Sequence, residues 1–229
     1  HPDRLAALLH KPLFAYANVP YRIRPFAALL DDPKHTVDYD EALAQRIDRR
    51  VADLGADGKL VLDANGAVYQ VTLLEKLLVP LLAKLGNLVA DGGIWMNTQR
   101  PEWNDANNAL VGQGLSMVTL YYLRRYVRFL QALLEAETAP LELSMEVGRW
   151  LRETAEALRQ FRDVLDRGAI GGEQRLALLT ALGEASGRYR EAIYRSDGMS
   201  GKSPVPMDLA RVLLTDALAA LDQRISRNR

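Results

Sequence analysis

Residues 107–137 read NNALVGQGLSMVTLYYLRRYVRFLQALLEAE, and this stretch decides the predicted fold. It contains no proline, and from Leu110 to Leu123 its apolar residues cover nearly every side of a helix. A helix that is apolar all round is buried on most of its sides. The sequence therefore predicts a long helix over about 107–137 as the central element of the fold.

Three further helices are predicted after this stretch, over about 141–166, 173–195 and 207–227. Each carries one apolar stripe at three- and four-residue spacing, such as Trp150, Leu151 and Leu158 in the first. A single stripe indicates a helix packed on one side, as on the outside of an α/α barrel or in a helical array. We interpret the basic cluster at Arg124, Arg125 and Arg128 as a solvated face or as partners of Glu135 and Glu137.

Toward the N-terminus the sequence predicts two helices, and the segment between them has a β-strand pattern instead of a helical one. A helix is predicted over about 39–54, and another over about 72–90 with Thr72 as its N-cap and Glu75 three residues later. Between them, Asn65-Gly66 separates two β-prone runs, which is typical of a hairpin turn. The predicted class is mainly α, with more than half of the residues helical and one short β-hairpin near 59–71.

We predict a single helical domain over residues 1–229, with a possible sub-boundary near 138–141 before the C-terminal helices. The chain begins at His1 rather than at a methionine. We interpret this start as a cut or processed end, so that the chain is expected to be a segment of a larger catalytic module within a longer polypeptide.

Composition narrows the function classes. Lys plus Arg equals Asp plus Glu at 29 each, which argues against nucleic acid and against an anionic membrane as partners. The absence of cysteine excludes disulfides and thiolate chemistry, and the three histidines lack metal-binding spacing. We therefore predict no metal and no cofactor. No apolar run reaches the ~18 residues of a spanning helix, so a soluble protein is expected, with cytoplasm and periplasm both open.

One segment groups polar side chains around an aromatic ring directly before the long apolar helix. Its members are Arg100, Glu102, Trp103, Asn104, Asp105, Asn107 and Asn108. Carbohydrate sites combine these types, because an aromatic face stacks on a sugar ring while carboxylates and amides bind its hydroxyls. The structural alternative is a helix start, with Asp105 or Asn107 as the N-cap and Trp103 in the core.

This segment resembles the Trp-Asn-Asp stretch of cellobiose-phosphorylase-like enzymes, which belong to the six-hairpin glycosidase superfamily. The resemblance covers about 20–30 residues and rests on 103–105, on the glycines at 112 and 114, and on Ser116 before an aromatic-apolar helix. The family pattern is Asp-Trp-Asn-Asp-Gly followed by Gly-x-Gly-Glu-Ser. This chain departs from it at Glu102, Ala106 and Leu115. Because Leu115 replaces the family's Glu, the resemblance does not identify the substrate sugar.

The resemblance implies an (α/α)6 barrel in which the residue matching Asp105 is the general acid. Twelve helices close such a barrel, so the remaining ones are expected outside this chain. The implied function is cleavage of a glycosidic bond in an oligosaccharide or glycoside, by hydrolysis or by phosphorolysis with inorganic phosphate as co-substrate. Arg100, Glu102, Trp103, Asn104, Asn107 and Asn108 would bind the substrate. The alternative from another class is a non-catalytic helical module that binds or scaffolds a partner.

Overall fold

Helix accounts for 61% of the chain, which confirms the mainly α class. The computed structural model describes residues 2–97, 109–166 and 170–227. Its helices, numbered α1 to α9, are Pro2–His10, Phe26–Asp31, Glu41–Leu54, Leu73–Leu85, Met117–Leu133, Met145–Gln160, Arg162–Asp166, Gly172–Ser196 and Met207–Arg227. These described helices do not form a closed barrel, and none of them is long and apolar enough to span a membrane.

The strands form three two-stranded antiparallel sheets within the described ranges. β1 (Tyr21–Ile23) pairs with β2 (Val37–Tyr39), β3 (Ile94–Trp95) with β4 (Leu115–Ser116), and β5 (Leu141–Ser144) with β6 (Lys202–Val205). The expectation of a single hairpin was therefore wrong. β5 occupies the start of one predicted helix and β4 lies inside another, and each pairs with a segment elsewhere in the chain.

The predicted hairpin turn near 59–71 is present in a reduced form. Asp63 N donates to Ala67 O at 2.7 Å, and Gly66 takes the positive φ of 80° that glycine tolerates without strain. Its two arms meet only in an isolated bridge between Leu62 and Val68, and each arm also bridges to the segment around residues 14–17. Three extended segments therefore lie together where the sequence predicted two.

α6 is the central helix. It contacts α4, α8 and α9, and its buried face includes Trp150, Leu151 and Leu158. The Trp150 ring stacks on Tyr189 of α8 at 4.2 Å, and its indole N–H donates to Ser186 Oγ at 3.1 Å. Gly148 of this helix is buried against β6, where a Cβ would lie 3.1 Å from Val205 Cγ2.

α5 corrects the prediction of a central helix over 107–137. It begins at Met117, where Ser116 Oγ caps it by accepting the Thr119 N–H at 3.1 Å. Leu120 and Val127 face the core, but Val118 and Tyr122 are 67% and 62% exposed. The apolar residues lie on two opposite faces of α5, and only one of these faces is covered. A helix with apolar residues on every side can be buried on all sides or on one side, and the sequence pattern does not distinguish the two.

The N-cap of α4 was predicted correctly, but the end of the helix was not. Thr72 Oγ1 accepts the Glu75 N–H at 3.2 Å, as a capping serine or threonine does. The helix ends at Leu85, with Gly86 as its C-cap, rather than near Ala90. The chain then turns through residues 86–93 and brings Ile94 back to bridge with Leu88.

Candidate functional site

The residues predicted to bind and cleave a sugar lie outside the described part of the chain. They are Arg100, Glu102, Trp103, Asn104, Asp105, Asn107 and Asn108, all within residues 98–108. The prediction that Asp105 is the acid and that Trp103 contacts the ligand therefore stays a prediction. The structure describes both flanks of this segment, and these flanks line a cleft.

The two flanks are joined by a short hydrogen-bonded stem. β3 and β4 pair Trp95 with Leu115, and beyond them Met96 N donates to Gly114 O at 3.0 Å while Gly112 N donates to Met96 O at 2.7 Å. The Trp95 indole N–H adds a bond to Gly112 O at 3.1 Å. The stem therefore fixes where the chain leaves and re-enters the described fold.

Gly112 is required at its position in this stem. Its φ of 79° is in the left-handed region, and a Cβ there would lie 2.2 Å from Pro33 O. The glycines at 112 and 114 were noted in the sequence as part of the family pattern. Here Gly112 allows the stem to pack closely against the loop that contains Pro33.

A cleft of about 390 Å³ opens beside the stem. Helices α4, α5 and α8 and strands β1, β3 and β4 contribute to its wall. The lining residues are Ile23, Ala83, Lys84, Asn87, Ile94, Trp95, Met96, Asn97, Ser116, Thr119 and Arg190. These described residues include two cations, two amides and two hydroxyls but no carboxylate.

The amides and hydroxyls of the cleft are held in pairs. Asn97 Nδ2 donates to Asn87 Oδ1 at 2.8 Å, which orients both amides. Ser116 Oγ and Thr119 Oγ1 are 2.7 Å apart at the start of α5. Groups fixed in this way lose little conformational freedom when they bind a ligand, so the wall is preorganised for polar recognition.

Arg190 of α8 carries the charge of the cleft that lacks a counter-ion. Its guanidinium makes no ion pair or hydrogen bond with any described residue, and its Nε is buried without an acceptor. Burial lowers the pKa of Arg190 from its ordinary value, although a guanidinium stays charged in proteins. Arg190 is partly exposed at the cleft, so a bound anion would reach its guanidinium and accept the hydrogen bond that the buried Nε lacks.

A second polar cluster lies at the N-terminal end of α4 and is closed. Glu75 is fully buried and accepts hydrogen bonds from Ser144 N at 2.7 Å, from Ser144 Oγ at 2.7 Å and from the Tyr16 hydroxyl at 3.1 Å. The Tyr69 hydroxyl lies 3.2 Å from Ser144 Oγ. Burial raises the pKa of Glu75, an effect that the two Ser144 hydrogen bonds only partly oppose.

Sequence reasoning missed Trp95, Asn97 and Arg190 as cleft residues. Trp95 and Asn97 directly precede the polar segment, so their position was a usable signal. Arg190 gave none, because it is one of several arginines on a long amphipathic helix and its place in the cleft depends on tertiary packing.

Histidine and acidic residues do not gather into a metal site in the described ranges, where no group of three or more such side chains could hold an ion. His10 is instead paired with Glu137 at 2.8 Å, and His35 with Asp38 at 3.4 Å. A comparison with protein-family models and with curated proteins found no match to this chain.

Proposed function

We propose that this chain is the acid-bearing part of a carbohydrate-active enzyme that cleaves glycosidic bonds, with phosphorolysis favoured over hydrolysis. Asp105 is the proposed general acid, and the cleft beside the stem is the proposed binding site. The observation that carries the proposal is the donor-rich cleft, which lies where the chain enters and leaves the Trp-Asn-Asp segment.

The chemistry of the cleft lining supports a sugar as the ligand. Paired amides and hydroxyls offer both donors and acceptors, which match the mixed hydrogen bonding of sugar hydroxyls. Trp95 borders the same wall, but it is only 9% exposed and its ring packs edge-on against Phe26 at 6.5 Å, so the proposed stacking face is that of Trp103. A sugar site of this kind needs both kinds of surface.

Phosphorolysis is favoured by the charges of the described lining. Inverting hydrolysis needs a second carboxylate ~6.5–9.5 Å from the acid to activate water. The described cleft residues include no carboxylate, and the proposal gives Glu102 to substrate binding, whereas Arg190 offers a guanidinium whose Nε has no described acceptor. Arginine binds phosphate through two parallel hydrogen bonds, and phosphate would replace water as the nucleophile.

The proposal also includes the (α/α)6 barrel that the family resemblance implies. The described helices could form part of an (α/α)6 barrel that further sequence completes. If the reaction were hydrolysis, that sequence would also supply the second catalytic group.

The test is a cleavage assay on a panel of oligosaccharides, with and without inorganic phosphate, read by phosphorus NMR. We expect a sugar phosphate to form only when phosphate is present. Arg190→Gln should raise the KM for phosphate by ~10-fold or more, because hydrogen bonds to charged groups are worth ~1.5–3 kcal/mol. Arg188→Gln is the matched control, since Arg188 lies on the exposed side of α8 and pairs with Glu153 at 3.0 Å.

Two results would count against this function. Release of free sugar at an equal rate without phosphate would replace phosphorolysis by hydrolysis. Absence of both cleavage and binding across the panel would contradict the assignment of a carbohydrate-active enzyme.

A further inference from the structure

The outward side of α5 carries an apolar surface that the described chain leaves uncovered. We define the outer α5 face by Val118, Tyr121, Tyr122 and Phe129, which are 67%, 41%, 62% and 53% exposed. These positions follow the three- and four-residue spacing of one helix side. They lie opposite Leu120 and the other core residues of the same helix.

The flanks of α5 are already occupied. On one side the Tyr126 hydroxyl donates to Leu77 O of α4 at 2.8 Å. On the other side Arg124 and Arg128 pair with Asp222 of α9, in place of the predicted partners Glu135 and Glu137. α5 therefore lies between α4 and α9, and no described residue covers its outer face.

Four large apolar side chains on one helix face make a substantial patch. Each aromatic residue can bury about 150–250 Å². A contiguous exposed patch of a few hundred Å² usually marks a site of interaction. A separate groove of about 380 Å³ lies near the C-terminal end of α5, and its lining is mostly polar: Gln131, Ala132, Glu135, Arg211, Leu214 and Thr215.

The charge on this face selects among possible occupants. α5 contains no Asp or Glu, and Arg125 lies within the outer face, between Tyr122 and Phe129 along the helix side. Its guanidinium lies over the Tyr122 ring at 5.6 Å, and no described carboxylate pairs with it. A second copy of this chain would bring its own Arg125 to the same place, and like charges at an interface disfavour pairing.

We propose that the outer α5 face binds an amphipathic α-helix of a partner protein, one whose apolar stripe carries a carboxylate that pairs with Arg125. The partner helix packs its apolar side along the outer α5 face, as in recognition of an amphipathic helix through its apolar anchors. Tyr122 and Phe129 form the apolar contacts, and Arg125 sets the charge preference. This surface is separate from the proposed cleft, so it holds whether or not the chain cleaves sugars.

The probe is a labelled helical peptide of leucines at three- and four-residue spacing flanked by glutamates, measured by fluorescence anisotropy. A second peptide replaces every glutamate by lysine. We expect the glutamate peptide to bind at least about tenfold more tightly, and Tyr122→Ser to weaken it about tenfold. Leu176→Ser is the matched control, because Leu176 is 53% exposed on α8, away from this face, and should leave binding unchanged.

Arg125→Glu gives a second test that does not depend on the apolar contacts. It should reverse the preference, so that the lysine peptide binds more tightly than the glutamate peptide. Circular dichroism confirms that each variant remains folded. Equal binding of the two peptides by the wild-type chain, or a preference that Arg125→Glu leaves unchanged, would overturn the proposal.

Two other occupants are tested in parallel. Concentration-dependent dimerisation in sedimentation that Tyr122→Ser abolishes would assign the face to a second copy and overturn the proposal. Co-sedimentation with phosphatidylcholine–phosphatidylglycerol vesicles that Tyr122→Ser abolishes would assign it to a membrane surface, with the same consequence. A monomer that ignores vesicles and binds the glutamate peptide supports the partner helix.

Discussion

The two polar clusters next to α4 differ in how completely their groups are paired. At the N-terminal end of the helix, Glu75 is fully buried, and its carboxylate oxygens accept hydrogen bonds from Ser144 and Tyr16. Toward the C-terminal end, Lys84 and Asn87 line a cleft in which Arg190 has no described partner. A closed network stabilises one structure, whereas a preorganised wall with an unpaired cation is suited to a ligand.

The largest effect is expected from the segment that joins the flanks of the open cleft. Asp105→Asn keeps the shape of the side chain but removes the acidic proton, so turnover should fall by ~10²–10⁴-fold with little change in substrate binding. Steady-state kinetics on a substrate with a poor leaving group measures this. Glu102→Gln is the comparison, and we expect it to weaken binding more than turnover. Near wild-type turnover in Asp105→Asn would favour the helix-capping interpretation.

A substitution in the closed cluster should lower the stability of the fold and leave activity largely unchanged. Glu75→Ala removes the acceptor for Ser144 N, Ser144 Oγ and the Tyr16 hydroxyl, and each buried donor left unpaired costs ~1–3 kcal/mol. We expect the free energy of unfolding to fall by about 2–5 kcal/mol in urea denaturation. Glu142→Ala, an exposed position on β5, should change it by less than about 0.5 kcal/mol. Equal losses in the two variants would show that the network is not a unit.

Arg190 should behave in the opposite way to Glu75. Because the Nε of Arg190 is buried without a described acceptor, Arg190→Gln should change the free energy of unfolding by no more than about 1 kcal/mol, and it can stabilise the ligand-free chain. The same variant should lose affinity for phosphate. A loss of stability as large as that of Glu75→Ala would assign Arg190 to the structure rather than to a ligand.

Local signals in the sequence predicted the helices well but not their burial. Thr72 with Glu75 three residues later identified the start of α4, because capping depends on neighbouring residues alone. The burial of α5 and the central place of α6 depend on which other elements cover a face. The sequence shows that Tyr122 and Leu120 both have large, mainly apolar side chains. Only the tertiary contacts determine that Leu120 is buried and Tyr122 is exposed.

The strands and the cleft show the same limit. β5 and β6 pair residues 141–144 with 202–205, and two four-residue strands so far apart leave little local pattern. The Glu75 carboxylate was visible only as a capping residue, although it is the centre of a buried network. The polar segment at 100–108 could be recognised because its residues are adjacent, whereas Arg190 could not because the fold brings it there.

The smallest predicted effect is a pH dependence that comes from the closed cluster alone. Burial raises the pKa of the Glu75 carboxyl in the folded chain above its ordinary value near 4.5. The folded state therefore takes up a proton at a higher pH than the unfolded state does. In the window directly above pH 4.5, the free energy of unfolding should rise as the pH falls. Below this window the contribution is constant, and above the folded pKa it is lost.

Glu75→Gln removes the titration, so thermal unfolding of the variant should lack this component while the remaining pH dependence stays. An identical difference between wild type and variant at every pH would mean that Glu75 does not titrate in this window. The closed cluster would then hold a carboxylate that the hydrogen bonds of Ser144 and Tyr16 keep ionised despite its burial.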